Sequence, residues 1–524
     1  ALLRLASGDS AAALPLLLEG VESAGGGART RAAAALTDLG GHDYERTLGL
    51  ARTLDRAGDG ARALRGYDRA TALAEAAGSR LSEGSRLERA RLMATVQSRQ
   101  AEALEEFRAI RDSTEDRRIG ARNLSVWAQM RSRQGLTAQV NTLRRWLLEE
   151  YPESNEAAEV AWEQGSNAEA RGALDSAIER YASLAENVPS HTRAGQARMR
   201  SGQIHLRRGN LAAAARVFEQ YLEDFPTGRR WQEAAYWAGR TRQELGENET
   251  AERWLRHALS EPIQYYAVMA ADLLGETFAV SVPEGESPVE PGWLTEGLVM
   301  LDQLTAAGLE RGAAAEIDRL GDQAGGDRGP RLRLAEALIE RGRTIDGINL
   351  GWAILEDEGS WDQEILNVTY PFPYRELVRR EAAEWGIDPF MMAAIIRQES
   401  AFKADIVSHA GAIGLMQVMP PTGAQLARAH GPHGFTDESL TKPEVNLHLG
   451  AAFFVDMSRR YDNDLPIVLS AYNAGPTRAT RWRRYPEAVD PLRFTERIPF
   501  VETRGYVKSV RRNLGLYRAL YGQD

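Results

Sequence analysis

Residues 209–226 read GNLAAAARVFEQYLEDFP, a segment that opens with a glycine, closes with a proline and recurs along the first half of the chain. The opening glycine returns every 37 residues, and the closing proline returns every 36 or 37. A small apolar residue stands five positions after each glycine. The repeated positions are Gly135, Gly172, Gly209 and Gly246; Val140, Ala177, Ala214 and Ala251; and Pro152, Pro189, Pro226 and Pro262, with the glycine step also at Gly8 with Ala13 and Gly58 with Ala63.

This repeat predicts pairs of α-helices. Glycine ends the first helix because it adopts the left-handed cap conformation at little cost, and proline closes the second because it cannot continue a helix. Leu211, Ala214 and Phe218 give the second helix one apolar face. Such pairs stack on their neighbours because they cannot bury their faces alone. The repeat resembles the tetratricopeptide class, which predicts an all-α fold with an N-terminal α-superhelix, or solenoid, of TPR-like helix pairs.

The composition excludes several classes of protein. The 524 residues are 43% apolar and 26% charged, and Ala, Arg, Leu and Glu dominate, as is typical of a helical globular protein. The formal net charge is −10, with +3 in residues 371–524 and −13 in the rest, so nucleic acid is not expected as a partner. The absence of cysteine excludes disulfides, thiolate zinc sites and a cysteine nucleophile.

Two breaks in the helical pattern predict three domains. The stretch ETFAVSVPEGESPVEPGW at residues 276–293 is rich in proline, glycine and acidic residues, which is typical of a linker. A second break, at residues 367–374, contains two prolines. We therefore expect a superhelical domain at 1–292, a helical linker domain at 293–368 and a last domain at 369–524.

The sequence carries few signals of membrane insertion or export. No apolar run approaches the roughly 20 residues that a transmembrane helix needs. The chain begins at Ala1 without Met and without a basic and then apolar leader, which fits a signal peptide that has been removed.

Residues 387–402, IDPFMMAAIIRQESAF, contain the first candidate for chemistry. Asp388 is a good N-cap and Pro389 suits the first helical position. Glu399 then shares a helix face with three apolar residues, and burial on such a face raises the pKa of a carboxyl group, as a general acid requires. The alternative is that Glu399 marks the solvent-exposed end of a helix. The three apolar residues are Met392, Ile395 and Ile396.

Two further segments follow at residues 408–421, SHAGAIGLMQVMPP, and 469–476, LSAYNAGP. The glycines of the first permit tight turns and the close approach of a ligand. Together with Glu399, these segments resemble the lytic transglycosylase domain of the soluble, Slt-type family, whose pattern is ES, a nearby Ser, GLMQ and then AYNAG. The tail at residues 498–507, IPFVETRGYV, is also similar to the ending of that family.

The resemblance covers residues 371–521 and implies a C-terminal lysozyme-like, mostly α catalytic domain. It also implies cleavage of the β-1,4 bond between N-acetylmuramic acid and N-acetylglucosamine in peptidoglycan, with 1,6-anhydromuramic acid ends as products. The acidic helical body is similar to the superhelical and linker domains of the long soluble members. One departure from the family pattern is Lys403–Ala404, where many members carry a proline.

The resemblance also assigns roles to residues of this chain. Glu399 is expected to act alone as acid and then as base, without a cofactor or metal. Tyr472 is expected to touch or orient its carboxylate. Ser408, Gln417 and Met419 are expected to line sugar subsites, with Met416 in the core. Asn473 would support the cleft or cap a helix, and Glu502, with Glu496 as the second choice, would meet the stem peptide.

Several alternatives remain open at this point. Asp405 is a possible second carboxylate, which would make the protein a conventional muramidase. The protein could instead bind glycan and recruit cell-wall synthesis or division proteins on the solenoid. Asp462–Asp464 fits a solvated turn better than a calcium loop, because it lacks the glycine and distal glutamate of such a loop. His430, His433 and His448 are interpreted as surface or loop residues. The resemblance implies a periplasmic protein, free or associated with the cell wall or outer membrane.

Overall fold

The computed structural model describes residues 1–261, 263–283 and 290–522. Within these ranges the chain is all-α, as the sequence predicts, and β structure is limited to two isolated bridges. The chain forms two compact units, the first made of residues 1–208 with 223–228 and the second of 209–222 with the described residues from 229 onward. In the described part of the chain no helix combines the length and apolar character that a membrane span requires.

The helices of the first part of the chain lie between residues 2 and 224. They are α1 (Leu2–Ala6), α2 (Ser10–Ser23), α3 (Gly26–Leu39), α4 (Tyr44–Arg56), α5 (Gly60–Ala76), α6 (Glu83–Met93), α7 (Gln100–Ser113), α8 (Arg117–Arg133), α9 (Thr137–Glu150), α10 (Asn155–Ala170), α11 (Leu174–Asn187), α12 (Ala194–Arg207) and α13 (Leu211–Asp224).

The helices of the second part follow from residue 231. They are α14 (Trp231–Glu244), α15 (Asn248–Leu259), α16 (Tyr265–Leu274), α17 (Gly292–Ala306), α18 (Glu310–Ala324), α19 (Arg328–Glu340), α20 (Thr344–Glu358), α21 (Gln363–Thr369), α22 (Arg375–Trp385), α23 (Pro389–Glu399), α24 (Pro420–His430), α25 (Pro443–Arg460), α26 (Leu465–Ala474), α27 (Pro476–Trp482), α28 (Pro491–Arg497) and α29 (Val501–Tyr521).

The glycine repeat has the geometry that the sequence predicts. Each repeated glycine separates two helices and has a φ between +73° and +83°. The small residue five positions later is at most 7% exposed at every repeat, so it lies where two helices approach closely. Glycine inside a helix also permits close approach. In the pair α10–α11, a Cβ added at Gly165 would lie 2.9 Å from the Tyr181 ring. Pro262, the last of the repeated prolines, lies outside the described residues.

The segment predicted to be a linker has no helix at residues 276–283 and 290–291, and its residues 284–289 lie outside the described ranges. Helices α17 to α21 follow and bury their own apolar clusters, one around Leu298 and Leu320 and another around Leu332 and Ile354. The three-domain division at residues 292 and 368 stays a prediction.

The last core is built around α23. Its apolar residues join those of α22, α25, α26 and α29 in one buried cluster. On another side of α29, the Val268 side chain of α16 packs against Gly515. A Cβ added at Gly515 would lie 2.7 Å from that side chain. Lys508 of α29 donates a 2.7 Å hydrogen bond to the Tyr266 hydroxyl of α16. Within the second unit, α16, the helix that follows the last glycine–proline repeat, therefore supports the last helix directly.

We expect Gly172→Ala to lower the free energy of unfolding of the helical repeats by about 1 kcal/mol, because Gly172 has a φ of +78°. No atom lies within 4 Å of a Cβ at this position, so the cost comes from the backbone alone. Urea unfolding followed by circular dichroism measures it. Gly172→Asn is the control and should lose less, because asparagine tolerates the left-handed conformation. Equal stability of the alanine variant and the wild type would contradict this account.

Candidate active site

Helix α23 places Glu399 at its last position. The Asp388 side chain caps the helix by accepting a 2.8 Å hydrogen bond from the Phe390 amide, and Pro389 begins it, as the sequence predicts. The three apolar residues that share the face of Glu399 are fully buried. The carboxyl group is thus carried by a helix whose position is fixed by the core, while Glu399 itself is half-buried.

The backbone turns sharply directly after Glu399. Ala401 and Phe402 have φ values of +48° and +64°, and the Phe402 side chain is fully buried. Ser400 donates hydrogen bonds to the carbonyls of Ile396, at 3.2 Å, and Leu415, at 2.8 Å. Two consecutive left-handed residues without glycine are strained, and the buried Phe402 ring and the bonds of Ser400 stabilise this turn.

Tyr506 is the hydrogen-bond partner of the Glu399 carboxyl group. Its hydroxyl donates to Glu399 Oε1 at 2.7 Å. Burial raises the pKa of Glu399 from 4.5 to about 7, and the hydrogen bond from Tyr506 opposes that rise. Burial also raises the pKa of Tyr506 well above its ordinary value, so the phenol keeps its proton. The site therefore holds a carboxyl group that is about half protonated near neutral pH.

Tyr472 differs from the sequence prediction in its contact. Its hydroxyl donates to the Met416 carbonyl at 2.8 Å, and the hydrogen bond to Glu399 comes from Tyr506 instead. Tyr472 is nevertheless close enough for the charge of Glu399 to add to the rise in its pKa, which burial dominates. Its ring lies 5.1 Å from that of Phe453, centroid to centroid. Tyr472 thus links the third motif (residues 469–476) to the second motif (residues 408–421), counting the Glu399 segment as the first.

The second motif is a tight loop held by its own polar groups. Ser408 Oγ accepts a 2.9 Å hydrogen bond from the Ala412 amide. Gln417 has a φ of +50°, and its side-chain amide donates to the carbonyls of Gly414, at 2.9 Å, and Ile406, at 3.2 Å. These contacts show Ser408 and Gln417 shaping the loop, and their place in sugar subsites stays a prediction.

The two methionines of this loop have opposite environments. Met416 is fully buried and packs on Gly450 of α25, where a Cβ would lie 2.5 Å from its sulfur. The residue is part of the core, as expected. Met419 is 40% exposed at the start of α24, so its side chain is available to a ligand.

Asn446 of α25 organises the same loop and was missed by the sequence reasoning. Its Oδ1 accepts from the Met416 amide at 2.7 Å, and its Nδ2 donates to the carbonyls of Ile413 and Leu440, each at 2.8 Å. The side chain is fully buried. The only signal in the sequence is a polar residue on the apolar face of a helix, which does not reveal a partner 30 residues away.

The remaining predicted residues lie on α26 and in the last two helices. Asn473 Oδ1 accepts a 2.8 Å hydrogen bond from Thr503, so it joins α26 to α29. Glu502 is exposed in the first turn of α29 and is free to meet a ligand. Glu496 accepts from the Tyr266 hydroxyl and the Lys508 ammonium, each at 2.7 Å, which ties it to α16.

Asp405, considered as a second catalytic carboxylate, and Asp462–Asp464, considered as a calcium loop, lie in different surroundings. The Asp405 side chain is 73% exposed in a loop, 4.0 Å from the Lys403 ammonium. Asp462 and Asn463 form a turn with φ values of +54° and +59°, and Asp464 caps α26 by accepting from the Ile467 amide. Asp462 and Asn463 are exposed, so the segment forms a surface turn, and the absence of a calcium ion there stays a prediction.

The three histidines are not alike. His430 and His433 are exposed, as the sequence predicts. His448 is different, because it lies in α25 with its side chain only 19% exposed and 3.1 Å from Glu381 of α22. Interpreting it as a surface or loop residue was wrong, since the sequence does not show that α22 packs beside α25.

Comparison with known proteins identifies the class to which this site belongs. Residues 376–493 match the family described as the transglycosylase SLT domain, a range that includes α23 and the second and third motifs. The chain therefore carries an SLT domain.

The most informative relatives are soluble lytic murein transglycosylases. The chain is 30% identical to that of Salmonella typhimurium over 297 residues and 28% identical to that of Escherichia coli over 296, in each case 55% of this chain and 44% of the relative. The chain thus matches less than half the length of these relatives. The resemblance to the soluble lytic transglycosylases that the motifs predict is confirmed.

Solved structures give the same fold. An inactive mutant of the lytic transglycosylase Slt from Pseudomonas aeruginosa has a TM-score of 0.56 at 21% identity, covering 94% of this chain and 85% of that one. The 70-kDa soluble lytic transglycosylase from Escherichia coli has a TM-score of 0.56 at 19% identity, covering 94% and 86%. The all-α architecture predicted from the sequence is confirmed over most of the chain.

We expect Glu399→Gln to stabilise the protein increasingly as the pH rises from 4.5 to above 7. The folded state keeps the Glu399 proton up to about pH 7, whereas the unfolded state releases it near pH 4.5, so the wild type loses stability across this window. The full shift corresponds to about 3 kcal/mol. Glutamine has no charge to bury, so it carries no such penalty, and its side-chain oxygen can still accept a hydrogen bond from Tyr506.

Urea unfolding of both proteins at pH 4.5 and pH 8 measures the difference. Glu502→Gln is the matched control for the removal of one carboxylate, because Glu502 is exposed. A constant difference between Glu399→Gln and the wild type across this window would contradict the burial of the carboxyl group.

Proposed function

We propose that this protein is a lytic transglycosylase that cleaves the β-1,4 bond between N-acetylmuramic acid and N-acetylglucosamine in peptidoglycan. The observation that carries the proposal is the half-buried Glu399 carboxyl group, with a pKa of about 7 and a hydrogen bond from Tyr506. The SLT domain match around it supports the reaction class.

One carboxyl group serves both proton transfers of this reaction. Protonated Glu399 gives its proton to the glycosidic oxygen as the bond between that oxygen and C1 of the muramic acid breaks. The resulting carboxylate then takes the proton of the muramic acid C6 hydroxyl, whose oxygen bonds to C1 and closes the 1,6-anhydro ring. No water is consumed, and Glu399 ends protonated. The attack is intramolecular, and its high effective concentration makes a nucleophilic carboxylate unnecessary.

Tyr506 holds the carboxyl group for these transfers. Its bond is to Oε1, which leaves Oε2 to exchange the proton with the substrate. Because the phenol keeps its proton, it donates to the carboxyl group throughout the cycle. Tyr506 is thus a positioning residue in this proposal.

The other predicted residues have supporting roles in the proposal. Ser408, Gln417 and the exposed Met419 border the glycan cleft, and Tyr472 and Asn473 join the elements around it. Glu502 meets the stem peptide. The substrate implies a periplasmic protein, and the N-terminal helix pairs would offer a surface for strands or for cell-wall synthesis or division proteins.

Mass spectrometry of muropeptides released from purified sacculi tests this function. We expect products with 1,6-anhydro ends, lighter by one water than hydrolysis products. Glu399→Gln should lower turnover at least about 1000-fold, because an amide cannot exchange the proton. Asp405→Asn is the matched control and should stay close to wild type. Ordinary reducing ends, together with loss of activity in Asp405→Asn, would establish a two-carboxylate muramidase instead.

Tyr506→Phe provides a second test through the pH dependence of kcat/KM. The hydrogen bond from Tyr506 lowers the pKa of Glu399, so its removal should raise that pKa above about 7. The fall in activity on the alkaline side, where the acid is lost, should therefore move to higher pH while kcat decreases. Tyr472→Phe should leave this alkaline limb in place, because its hydroxyl bonds to Met416. An unmoved limb in Tyr506→Phe would contradict the role given to Tyr506.

A further inference from the structure

A cluster of metal-ligand side chains lies on α22 and α25, outside the site described above. Glu381 and Glu384 are three positions apart on α22, and His448 faces them from α25. One oxygen of each carboxylate and one imidazole nitrogen all lie within 4.8 Å of one another. The Glu381 side chain is 6% exposed, whereas that of Glu384 is 57% exposed. The cluster is thus buried at one end and open to solvent at the other.

The contacts of His448 show which ring nitrogen can serve as a metal ligand. Nε2 lies 3.3 Å from the carbonyl oxygen of His430, which can only accept, so Nε2 is the protonated nitrogen. Nδ1 has two neighbours, the indole N–H of Trp385 at 3.4 Å, which can only donate to it, and Glu381 Oε2 at 3.1 Å, which as a carboxylate oxygen can only accept from it. A histidine that is held by a backbone carbonyl through one nitrogen presents the other as a metal ligand.

Nδ1 faces two carboxylates. It lies 3.1 Å from Glu381 Oε2 and 3.8 Å from Glu384 Oε1. A lone pair and two anionic oxygens repel one another at these distances, so a positive charge, either a proton on Nδ1 or a metal ion, lies between them. The other oxygen of Glu381 accepts from the Arg380 guanidinium at 3.0 Å, so the oxygen that faces the histidine is the one available to a metal ion.

We propose that Glu381, Glu384 and His448 bind a divalent transition-metal ion of the Zn²⁺ class. Zinc bonds of about 2.1 Å separate two ligand atoms at a tetrahedral ion by about 3.4 Å, and the two distances from Nδ1 lie on either side of that value. The imidazole favours zinc over calcium or magnesium, which prefer oxygen ligands only. Water completes the coordination at the open end, and the ion replaces the long hydrogen bond from Trp385.

The ion would fasten α22 to α25 close to the candidate active site. His448 is two residues from Asn446, whose side chain holds the loop that contains Met416. The ion is therefore a structural ligand in this proposal, and it takes no part in proton transfer by Glu399.

Isothermal titration calorimetry of the metal-free full chain with ZnCl₂ tests the site. We expect one ion per chain and a rise in Tm that is reversed by a chelator. Glu384→Gln should weaken binding at least tenfold without harming the fold, because that side chain is mostly exposed. His448→Gln should abolish binding, and Co²⁺ in place of Zn²⁺ should give a visible absorption band that both variants lose.

Matched controls separate this cluster from other surface ligands. His433→Gln and Glu438→Gln replace exposed residues of the same domain and should bind as the wild type does. The proposal is overturned if the wild type binds no zinc below about 100 µM, or if Glu384→Gln binds as tightly as the wild type. If His448→Gln fails to fold, Glu384→Gln and the Co²⁺ spectrum decide the question.

Discussion

The site depends on keeping one carboxyl group largely out of water at the end of an apolar helix. An ionised carboxylate loses solvation when it is buried, so Glu399 is pushed toward its neutral form, and the protein must supply the free energy for this from elsewhere. The fully buried face of α23 supplies part of it through the core. The rest of the local structure meets the same requirement, because the turn at Ser400 and the phenol of Tyr506 fix the carboxyl group where the helix ends.

Helix α29 connects the Glu399 carboxyl group to α16, the helix that follows the last repeat. Tyr506 reaches Glu399 from one side of α29, while Lys508, two residues later, bonds to Tyr266 of α16. Val268 of α16 packs against Gly515 of the same helix. A displacement of α16 would therefore move the helix that carries the partner of Glu399. Helix α16, which follows the last repeat, thus belongs to the structural support of the site, even though none of its side chains has been assigned to the chemistry.

The sequence predicted best those features whose cause is local. A glycine at a helix end, a proline after a helix and the apolar face of α23 are each decided by residues within one or two turns, and all of them have the predicted geometry. The recognised motifs placed Glu399 in the site for the same reason. Tyr506, Asn446 and His448 were missed because their partners are 107, 30 and 67 residues away. Tyr472 was given the contact of Tyr506, since a motif names a residue without fixing the atom it meets.

In the proposed mechanism one carboxyl group both gives and accepts a proton, and this double role limits how far burial can usefully raise its pKa. A carboxyl group with an ordinary pKa would be ionised at neutral pH and could not protonate the leaving oxygen. One with a pKa raised much further would be a poor acid, because it would hold its proton too tightly. Burial alone raises the pKa of Glu399 toward that of a poor acid, and the hydrogen bond from Tyr506 lowers it. The balance at a pKa of about 7 suits both halves of the proposed reaction, and both the apolar helix and the phenol contribute to it.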